Sequence, residues 1–182
     1  MVNTAVKKTT KWVMDTSHSE LGFKVKHLMI SYVKGEFKDF DIKVDGDDIF
    51  ESKIKVIIDP STISTKNEDR DNHLKSADFF DVEKHDKLTF ESSSFDKIDE
   101  DQYKLMGVLT LKGISKSVTL DIVFGGIMKD PYGNEKVGFS LSGKINRKDW
   151  GLNWNAALEA GGLMVSDEVN LTAEVQLVKQ VQ

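Results

Sequence analysis

Residues 137–145 of the chain have the sequence V-G-F-S-L-S-G-K-I. Every second position, starting from Val137, is apolar or glycine, and the positions between them are glycine, serine or lysine. Successive side chains of a β-strand point to opposite faces of the sheet. The alternation therefore predicts a strand with one apolar face and one polar face.

The same alternation recurs on both sides of this stretch. It is found at residues 21–27, 40–44, 54–58, 88–95, 103–111, 118–124 and 169–177, which brings the number of predicted strands to about eight. Most neighbouring strands are joined by short polar turns, such as the one at Asp130–Asn134. Strands of this length joined by tight turns predict an antiparallel sandwich or a closed barrel.

Composition limits the classes of protein to consider. The chain has 182 residues, within the range of one domain, and shows no stretch of linker composition. With 39% hydrophobic and 30% charged residues, it is neither a disordered tail nor a membrane protein. A net charge of −5 argues against nucleic-acid binding, which needs a basic face. The chain contains no cysteine, so disulfides, thiolate nucleophiles and cysteine-ligated metals are absent.

The first residues are basic and are not followed by an apolar run of the length found in secretory signals. No apolar run long enough to span a membrane occurs later in the sequence. We therefore expect a cytoplasmic protein without stable membrane insertion. Residues 1–10 are expected to form a flexible arm, and residues 11–182 are expected to form the barrel domain.

Two segments interrupt the alternation. Residues 65–68, T-K-N-E, match a capping box, which predicts a short helix over 68–80 that ends at the apolar pair Phe79-Phe80. Residues 150–162 contain two tryptophans and end in two glycines, which predicts a second short helix at 152–160. Both segments are interpreted as apolar flaps over the end of a barrel.

The histidines and serines do not predict a catalytic or metal site. The four histidines have neither His-x-His nor HExxH spacing, so no metal ligands are proposed. Ser17 and His18 are adjacent, which would place them on opposite faces of a strand, and no Gly-x-Ser-x-Gly elbow is present. His18 is interpreted as a hydrogen-bonded residue in a turn before a strand.

The charged residues of the flaps have two interpretations. They form ion pairs that fix the flaps, or some of them contact an anionic or polar ligand head at the barrel mouth. The ion-pair interpretation involves Arg70-Asp71, Asp78 and Arg147-x-Asp149, and the ligand interpretation involves His73, Lys75 and Arg147. Likewise, a barrel of this size is either filled by its own side chains or holds one small ligand. Small strand residues, including Ser92, Gly107 and Gly143, would leave room for a ligand.

Several motifs together resemble a known family. They are Asp15-x-x-His18-Ser19, Arg70-Asp71-x-His73-Leu74-Lys75-Ser76, Gly107-x-Leu109-Thr110-Leu111-Lys112-Gly113, Arg147-x-Asp149-Trp150-Gly151 and Val165-Ser166-Asp167-Glu168-Val169. In order and spacing the chain resembles the YceI-like, polyisoprenoid-binding family across residues 11–179. Each motif is weak alone, and the set is specific.

The resemblance implies an all-β fold, a single closed antiparallel eight-stranded lipocalin-like β-barrel. The predicted flaps near residues 68–80 and 152–160 would cover it. It also implies an elongated apolar tunnel that holds a long isoprenoid lipid, a quinone tail or a fatty amide. Many relatives are exported to the periplasm, and some pair as homodimers.

We therefore expect non-catalytic binding, and sequestration or transport, of a long apolar lipid, with no cofactor and no metal. The alternatives are an enzyme that acts on a lipid or isoprenoid quinone, and a stress-related structural or interaction module with a filled barrel. The expected partners are the lipid and a second copy of the chain. The residues expected to bind the ligand are Phe23, Val25, Phe37, His73, Phe79, Phe80, Phe90, Leu109, Phe139, Leu141, Arg147, Trp150 and Trp154.

Overall fold

A computed structural model describes residues 10–159 and 161–181. Its strands in chain order are β1 (Thr10–Met14), β2 (Glu20–His27), β3 (Ser31–Phe37), β4 (Phe40–Asp45), β5 (Lys53–Ile58), β6 (Ile63–Ser64), β7 (Leu88–Lys97), β8 (Gln102–Leu111), β9 (Ile114–Lys129), β10 (Glu135–Asn146) and β11 (Val165–Val181). One α-helix, α1 (Glu68–Lys75), follows β6, and short 3-10 turns occupy Thr16–His18, Pro60–Thr62 and Arg147–Trp150.

Eight strands close into a barrel. Their order is β1-β4-β5-β7-β8-β9-β10-β11, and β11 pairs with β1 to complete the circle. Each pairing around this circle is antiparallel. The closed eight-stranded antiparallel barrel implied by the family resemblance is therefore confirmed.

The remaining three strands extend the sheet from β11. The last part of β11 pairs with β1, whereas its first part, up to Glu174, pairs with β2. β3 then pairs with β2, and the two-residue β6 pairs with β3. Ser19 holds the point where β11 changes partner, because its hydroxyl donates to the Gln176 carbonyl and accepts from the Gln176 amide.

The barrel has two ends, which we name from their contents. The closed end carries the connection between β4 and β5, residues 46–52, and the turn between β9 and β10, residues 130–134. The flap end carries α1, the connection between β10 and β11, and the turn between β2 and β3. The apolar core lies between the two ends.

The helix α1 is shorter than predicted and begins in a different way. It ends at Lys75, and its N-cap is Asn67, whose side chain accepts a hydrogen bond from the Arg70 amide. The predicted Thr65 capping box is therefore wrong. The Thr65 hydroxyl bonds to Asp71 instead, and the left-handed Lys66, at φ 61°, turns Thr65 away from the first helical turn.

The second predicted helix, at 152–160, is absent from residues 152–159, and Ala160 lies outside the described residues. The carbonyls of Leu152 and Trp154 accept hydrogen bonds from Arg147, and the Ala156 amide donates to the Asn155 side chain, in place of the i to i−4 bonds of a helix. Asn155 bonds through its side chain to both backbone groups of Val165. The segment is therefore an irregular loop.

The predicted flexible arm begins outside the described part of the chain, which starts at Thr10. Thr10 is already the first residue of β1, where it pairs with Val181. Among residues 10–159 and 161–181, the only α-helix is the eight-residue α1, which is too short to span a membrane.

Candidate functional site

An aromatic cluster fills the closed end of the barrel. Phe50, from the connection between β4 and β5, lies with its ring centroid 4.6 Å from Tyr103 and 5.1 Å from Phe95. Its centroid is also 5.4 Å from that of Phe124 and 6.0 Å from that of Phe139. These spacings are those of favourable aromatic pairs. The cluster, which we call the aromatic plug, closes this end with the protein's own side chains.

The middle of the barrel is also filled. Phe90 and Leu109 are buried cross-strand neighbours. A Cβ at Gly107 would come within 2.5 Å of the Phe90 ring, so that ring occupies the space that the small residue leaves. Leu120 similarly occupies the space over Gly143. The small strand residues therefore accommodate neighbouring side chains in this structure.

A set of half-buried apolar residues also lies towards the flap end, facing inward from β2, β10 and β11. Nearer the closed end, Val137 and Leu177 are buried, and the plug rings of Phe50, Phe95, Tyr103 and Phe124 are half-buried but pack against one another. The half-buried set comprises Phe23, Val25, Leu141, Ile145, Val169 and Leu171. We call these six residues the interior wall.

Cross-strand pairing makes the interior wall continuous. Leu171 pairs with Phe23, and Val169 pairs with both Val25 and Ile145. Partners opposite one another in a sheet have side chains on the same face. The wall is therefore a connected apolar surface that solvent partly reaches.

The two flap segments meet at the flap end. Trp154, from the loop before β11, lies 4.7 Å from the His73 ring and 5.5 Å from the Phe79 ring, between centroids. Phe80 contacts Phe37 at 5.8 Å, and Phe37 contacts Phe23 of the interior wall at the same distance. The flaps thus cover the wall with aromatic side chains.

The predicted flap ion pairs have different partners in the structure. His73 Nε2 lies 2.8 Å from Asp78 Oδ2. Arg70 donates to the Thr65 hydroxyl and carbonyl, and Asp71 accepts from the Thr65 amide. These contacts fix the segment before and after α1.

Arg147 lies inside the flap end and is only 3% exposed. Its guanidinium donates to the carbonyls of Leu152 and Trp154 on one side and of Val165 and Ser166 on the other. The predicted partner Asp149 is wrong, because the nearest carboxylate is that of Asp167, at 3.8 Å. Burial lowers the pKa of Arg147, and Asp167 opposes that shift. Arg147 therefore fastens the loop to the start of β11.

The geometry of Ser17 and His18 is that of a turn. Ser17 Oγ and Asp15 Oδ2 each lie 3.0 Å from the same ring nitrogen, His18 Nδ1. In a catalytic triad the serine and the carboxylate contact different ring nitrogens. Hydrogen bonds from Ser17, then from His18 and Lys136, hold the pKa of Asp15 well below its usual range. Asp15 thus caps the turn between β1 and β2.

No group of three or more histidine, aspartate or glutamate side chains is close enough to hold a metal ion within the described ranges. An open pocket of about 550 Å³ lies by β2, β3 and β11, where charged Glu20, Lys24, Lys34 and Glu36 share its lining with Phe23. A second pocket of the same size contains four aspartates, Asp39, Asp41, Asp59 and Asp86. Neither pocket has the apolar lining expected of a lipid tunnel.

The thirteen residues predicted to bind a ligand therefore separate into three groups. Phe23, Val25 and Leu141 belong to the interior wall. His73, Phe79, Phe80 and Trp154 belong to the flaps, and Phe37, at the end of β3, is grouped with them because it contacts Phe80. Phe90, Leu109, Phe139, Trp150 and Arg147 are buried and in contact with other protein groups. Trp150, for example, donates its indole N–H to the Leu109 carbonyl.

Three residues of the interior wall and four of the five plug residues, all except Phe139, were not predicted to have a functional role. Val169, Leu171 and Ile145 belong to the predicted alternation, and their pairing with Val25 and Phe23 could have been inferred once the strand order was known. Phe50 lies in the sequence D-G-D-D-I-F-E-S, residues 45–52. The apolar pair Ile49-Phe50 in this polar turn was the available signal.

Comparison with known proteins identifies relatives along nearly the whole chain. The model of the YceI-like domain matches residues 12–177. A UPF0312 protein of Staphylococcus epidermidis is 46% identical over 170 residues, which cover 92% of this chain and 96% of that protein.

Solved structures share the fold. The crystal structure of a YCEI protein from Campylobacter jejuni is 40% identical, with a TM-score of 0.73 over 84% of this chain and 88% of that one. The structure of a polyisoprenoid binding domain from Saccharophagus degradans is 13% identical, with a TM-score of 0.71 over 92% and 97% of the two chains.

Proposed function

Because the chain belongs to the YceI-like domain family, we propose that it binds a long apolar lipid without catalysis, against the interior wall at the flap end. The single observation that carries this proposal is the connected set of half-buried apolar residues along the interior wall, whereas the half-buried rings of the aromatic plug pack against one another. Covering apolar surface that is in contact with water lowers the free energy of the complex by about 25 cal/mol per Å². The half-buried apolar residues of the interior wall therefore favour an apolar ligand.

The proposed ligand is a polyisoprenoid, an isoprenoid quinone or a fatty amide. The Saccharophagus degradans domain with the same fold is described as polyisoprenoid binding. For a chain of ~40 carbons, an efficiency of about −0.3 kcal/mol per atom gives roughly −12 kcal/mol, which is near-nanomolar affinity. Burial of the chain alone is sufficient for tight binding, so the head group needs only to be oriented.

Binding in an elongated tunnel requires the interior to rearrange. The aromatic plug and the Phe90 ring occupy the space towards the closed end. The flap end, in contrast, is covered by α1 and by a loop without regular structure. We propose that the lipid enters at the flap end, where the loop and α1 move apart. A cytoplasmic location and a homodimer remain part of the proposal.

Native mass spectrometry of protein purified without detergent tests the proposal. We expect a non-covalent adduct with the mass of a long-chain lipid, and a protein that takes up a fluorescent polyene fatty acid when its own lipid is removed. Absence of an adduct together with absence of polyene uptake contradicts the proposal.

Two neighbouring substitutions locate the binding site. Leu171→Glu places a carboxylate in the interior wall, where it loses solvation without gaining a partner when the lipid binds. We expect polyene uptake to fall at least about tenfold. Asn170→Glu is the control, because Asn170 pairs across the sheet with Lys24 and Lys144 and faces outward. Equal uptake by the two variants, with both folded by circular dichroism, would remove the wall from the proposed site.

A filled structural barrel is the second candidate function. The occupation of the spaces over Gly107 and Gly143 by Phe90 and Leu120 favours it. In that case the protein would carry no lipid, and Leu171→Glu would change stability without any binding to lose.

A further inference from the structure

The turn between β2 and β3 carries an exposed apolar tip. Its residues are Leu28, Met29 and Ile30, and the exposed fractions of the latter two are 52% and 83%. Tyr32, at the start of β3, is also exposed. Large apolar side chains at such exposure in a hairpin tip are unfavourable in water unless another surface covers them.

The backbone conformation of the tip does not favour large apolar residues. Leu28 and Met29 both adopt left-handed conformations, with φ of 53° and 65°. Glycine, asparagine and aspartate adopt this region at the lowest cost, and hairpin turns prefer them. Two large apolar residues are therefore present at positions where the turn itself would favour small or polar ones.

The tip is part of the flap end. The Leu28 amide donates to the Met164 carbonyl at 2.9 Å, in the loop that covers the interior wall. Met29 lies beside Gly162, where a Cβ would be 3.4 Å from Met29 Cγ. Leu163, next to Gly162, is exposed as well. The tip and this part of the loop thus form one apolar rim.

Positive charge surrounds the rim on the outer face of the hairpin. Lys24 and Lys34 are cross-strand partners, and Lys26 is opposite Tyr32. None of these three lysines lies within 4.0 Å of a carboxylate in the described part of the chain. Lys24 Nζ instead lies 4.9 Å from the centre of the Tyr32 ring.

Two carboxylates of β11, Asp167 and Glu168, lie between the residues that pair with His27 and Val25, and they pair with Lys148 at 3.3 Å and with Lys144 at 3.7 Å. The acidic residues of the hairpin itself lie farther from the tip. Glu36 is opposite Gly22, and Glu20 is opposite Glu174, so the sign of the charge changes along the hairpin. The whole chain has a net charge of −5. A basic apolar tip on an acidic protein orients that tip towards an anionic surface.

We propose that the β2–β3 tip docks on an anionic lipid bilayer. Leu28, Met29 and Ile30 enter the interface between head groups and acyl chains, and the three lysines contact the phosphate groups. Aromatic and apolar side chains next to lysines are the features of peripheral membrane contacts. This proposal rests on the proposed lipid-binding function, because docking there places the flap end, and the interior wall beneath it, against the source of the ligand.

Charge favours a bilayer over a second copy of this chain as the occupant of the tip. A two-fold interface would place the same patch against itself. The three lysines of one hairpin would then face those of the other, which is unfavourable at short distance. A bilayer rich in phosphatidylglycerol supplies the opposite charge.

Vesicle flotation tests the proposal, with vesicles of phosphatidylcholine alone and vesicles that also contain phosphatidylglycerol. We expect binding only in the presence of phosphatidylglycerol. Ile30→Asp should weaken binding to these vesicles at least about tenfold, because a charged carboxylate replaces an apolar side chain that enters the membrane interface. Lys26→Gln should weaken it about fivefold. Tyr132→Asp is the matched control, because Tyr132 is 89% exposed in a turn at the closed end, and we expect no change.

Polyene uptake from dilute ethanol solution separates this proposal from the proposed function. If the Ile30→Asp protein takes up the polyene normally but no longer floats with the vesicles, the result supports docking by the tip. Full flotation of Ile30→Asp overturns the proposal, as does flotation that is equal with and without phosphatidylglycerol. Conversion of a dimer to a monomer by Ile30→Asp, with flotation unchanged, would also overturn it and assign the tip to a protein interface.

Discussion

The two ends of the barrel are built from similar residues in opposite ways. At the closed end, Phe50 enters the barrel and contacts four aromatic rings within 6.0 Å. At the flap end, aromatic residues lie on segments outside the barrel, and the interior wall behind them remains half-buried. Aromatic content alone therefore does not identify a binding site. The distinguishing feature is whether the rings enter the barrel and pack against one another, as Phe50 does, or cover it from outside, as Phe79 and Trp154 do.

The largest effect is expected at the closed end. Phe139→Glu places a charge against Phe50, Phe95 and Phe124, where it has no partner. Loss of the ring alone costs about 3–5 kcal/mol, and the buried charge adds to this loss. We expect the free energy of unfolding to fall by about 5 kcal/mol or more, measured by urea denaturation.

The control for Phe139→Glu is Tyr132→Glu, at the same end of the barrel and exposed to solvent. It should change the free energy of unfolding by less than about 0.5 kcal/mol. A Phe139→Glu protein as stable as the control would show that the plug is loose, and the contrast between the two ends would be lost.

The second effect is expected at the flap end. Arg147→Ala removes the guanidinium that donates to the carbonyls of Leu152, Trp154 and Ser166, whereas the Val165 carbonyl keeps the side-chain amide of Asn155 as a donor. We expect a loss of about 3 kcal/mol and faster amide hydrogen exchange across residues 152–166. Arg147→Lys should not restore the loop, because an ammonium cannot reach carbonyls on both sides as the planar guanidinium does.

The neighbouring lysine supplies the control for Arg147. Lys148 is exposed and pairs with the second carboxylate oxygen of Asp167 at 3.3 Å. Lys148→Ala should cost less than about 1 kcal/mol. Unaltered hydrogen exchange in Arg147→Ala would show that the loop does not depend on this guanidinium.

These residues also show how far the sequence predicts the molecule. Alternation is a local property, so the antiparallel strands followed from it directly, whereas the choice of a closed barrel over a sandwich came from the family resemblance. The role of Arg147 did not, because its four carbonyl acceptors lie 5 to 19 residues away and have no side-chain signature. The same contacts remove the helix predicted at 152–160. A helical composition in that segment was overridden by tertiary hydrogen bonds.

The candidate site was predicted only in part for a similar reason. Phe23, Phe90 and Phe139 are equivalent by alternation, yet Phe23 is half-buried and the other two are enclosed. Burial depends on what lies across the barrel, and Phe50 reaches the interior from a turn that the alternation does not describe. The capping of α1 by Asn67 rather than Thr65 likewise depends on the conformation of the single residue Lys66.

The smallest effect is expected at the junction where β11 changes partner. Hydrogen bonds from Ser17, His18 and Lys136 lower the pKa of Asp15 in the folded protein. A carboxyl whose pKa is lower in the folded state stabilises that state fully above its unfolded pKa, near 4. This contribution disappears as the pH falls below that value.

We expect Asp15→Asn to be less stable than the original chain by about 1 kcal/mol at pH 7. The difference should become smaller below about pH 4, as measured by urea denaturation across the pH range. A difference that stays constant from pH 7 to pH 3 would show that the charge of Asp15 does not stabilise the turn.

The central claim, that a lipid lies against the interior wall at the flap end, is tested most directly by photocrosslinking. A long-chain isoprenyl probe with a diazirine at the end of its tail would be bound, irradiated and mapped by mass spectrometry of peptides. The account predicts adducts within residues 21–25, 141–145 and 169–173. Adducts confined to Phe50, Phe95 and Tyr103 at the closed end, or to the outer face of the barrel, would contradict it.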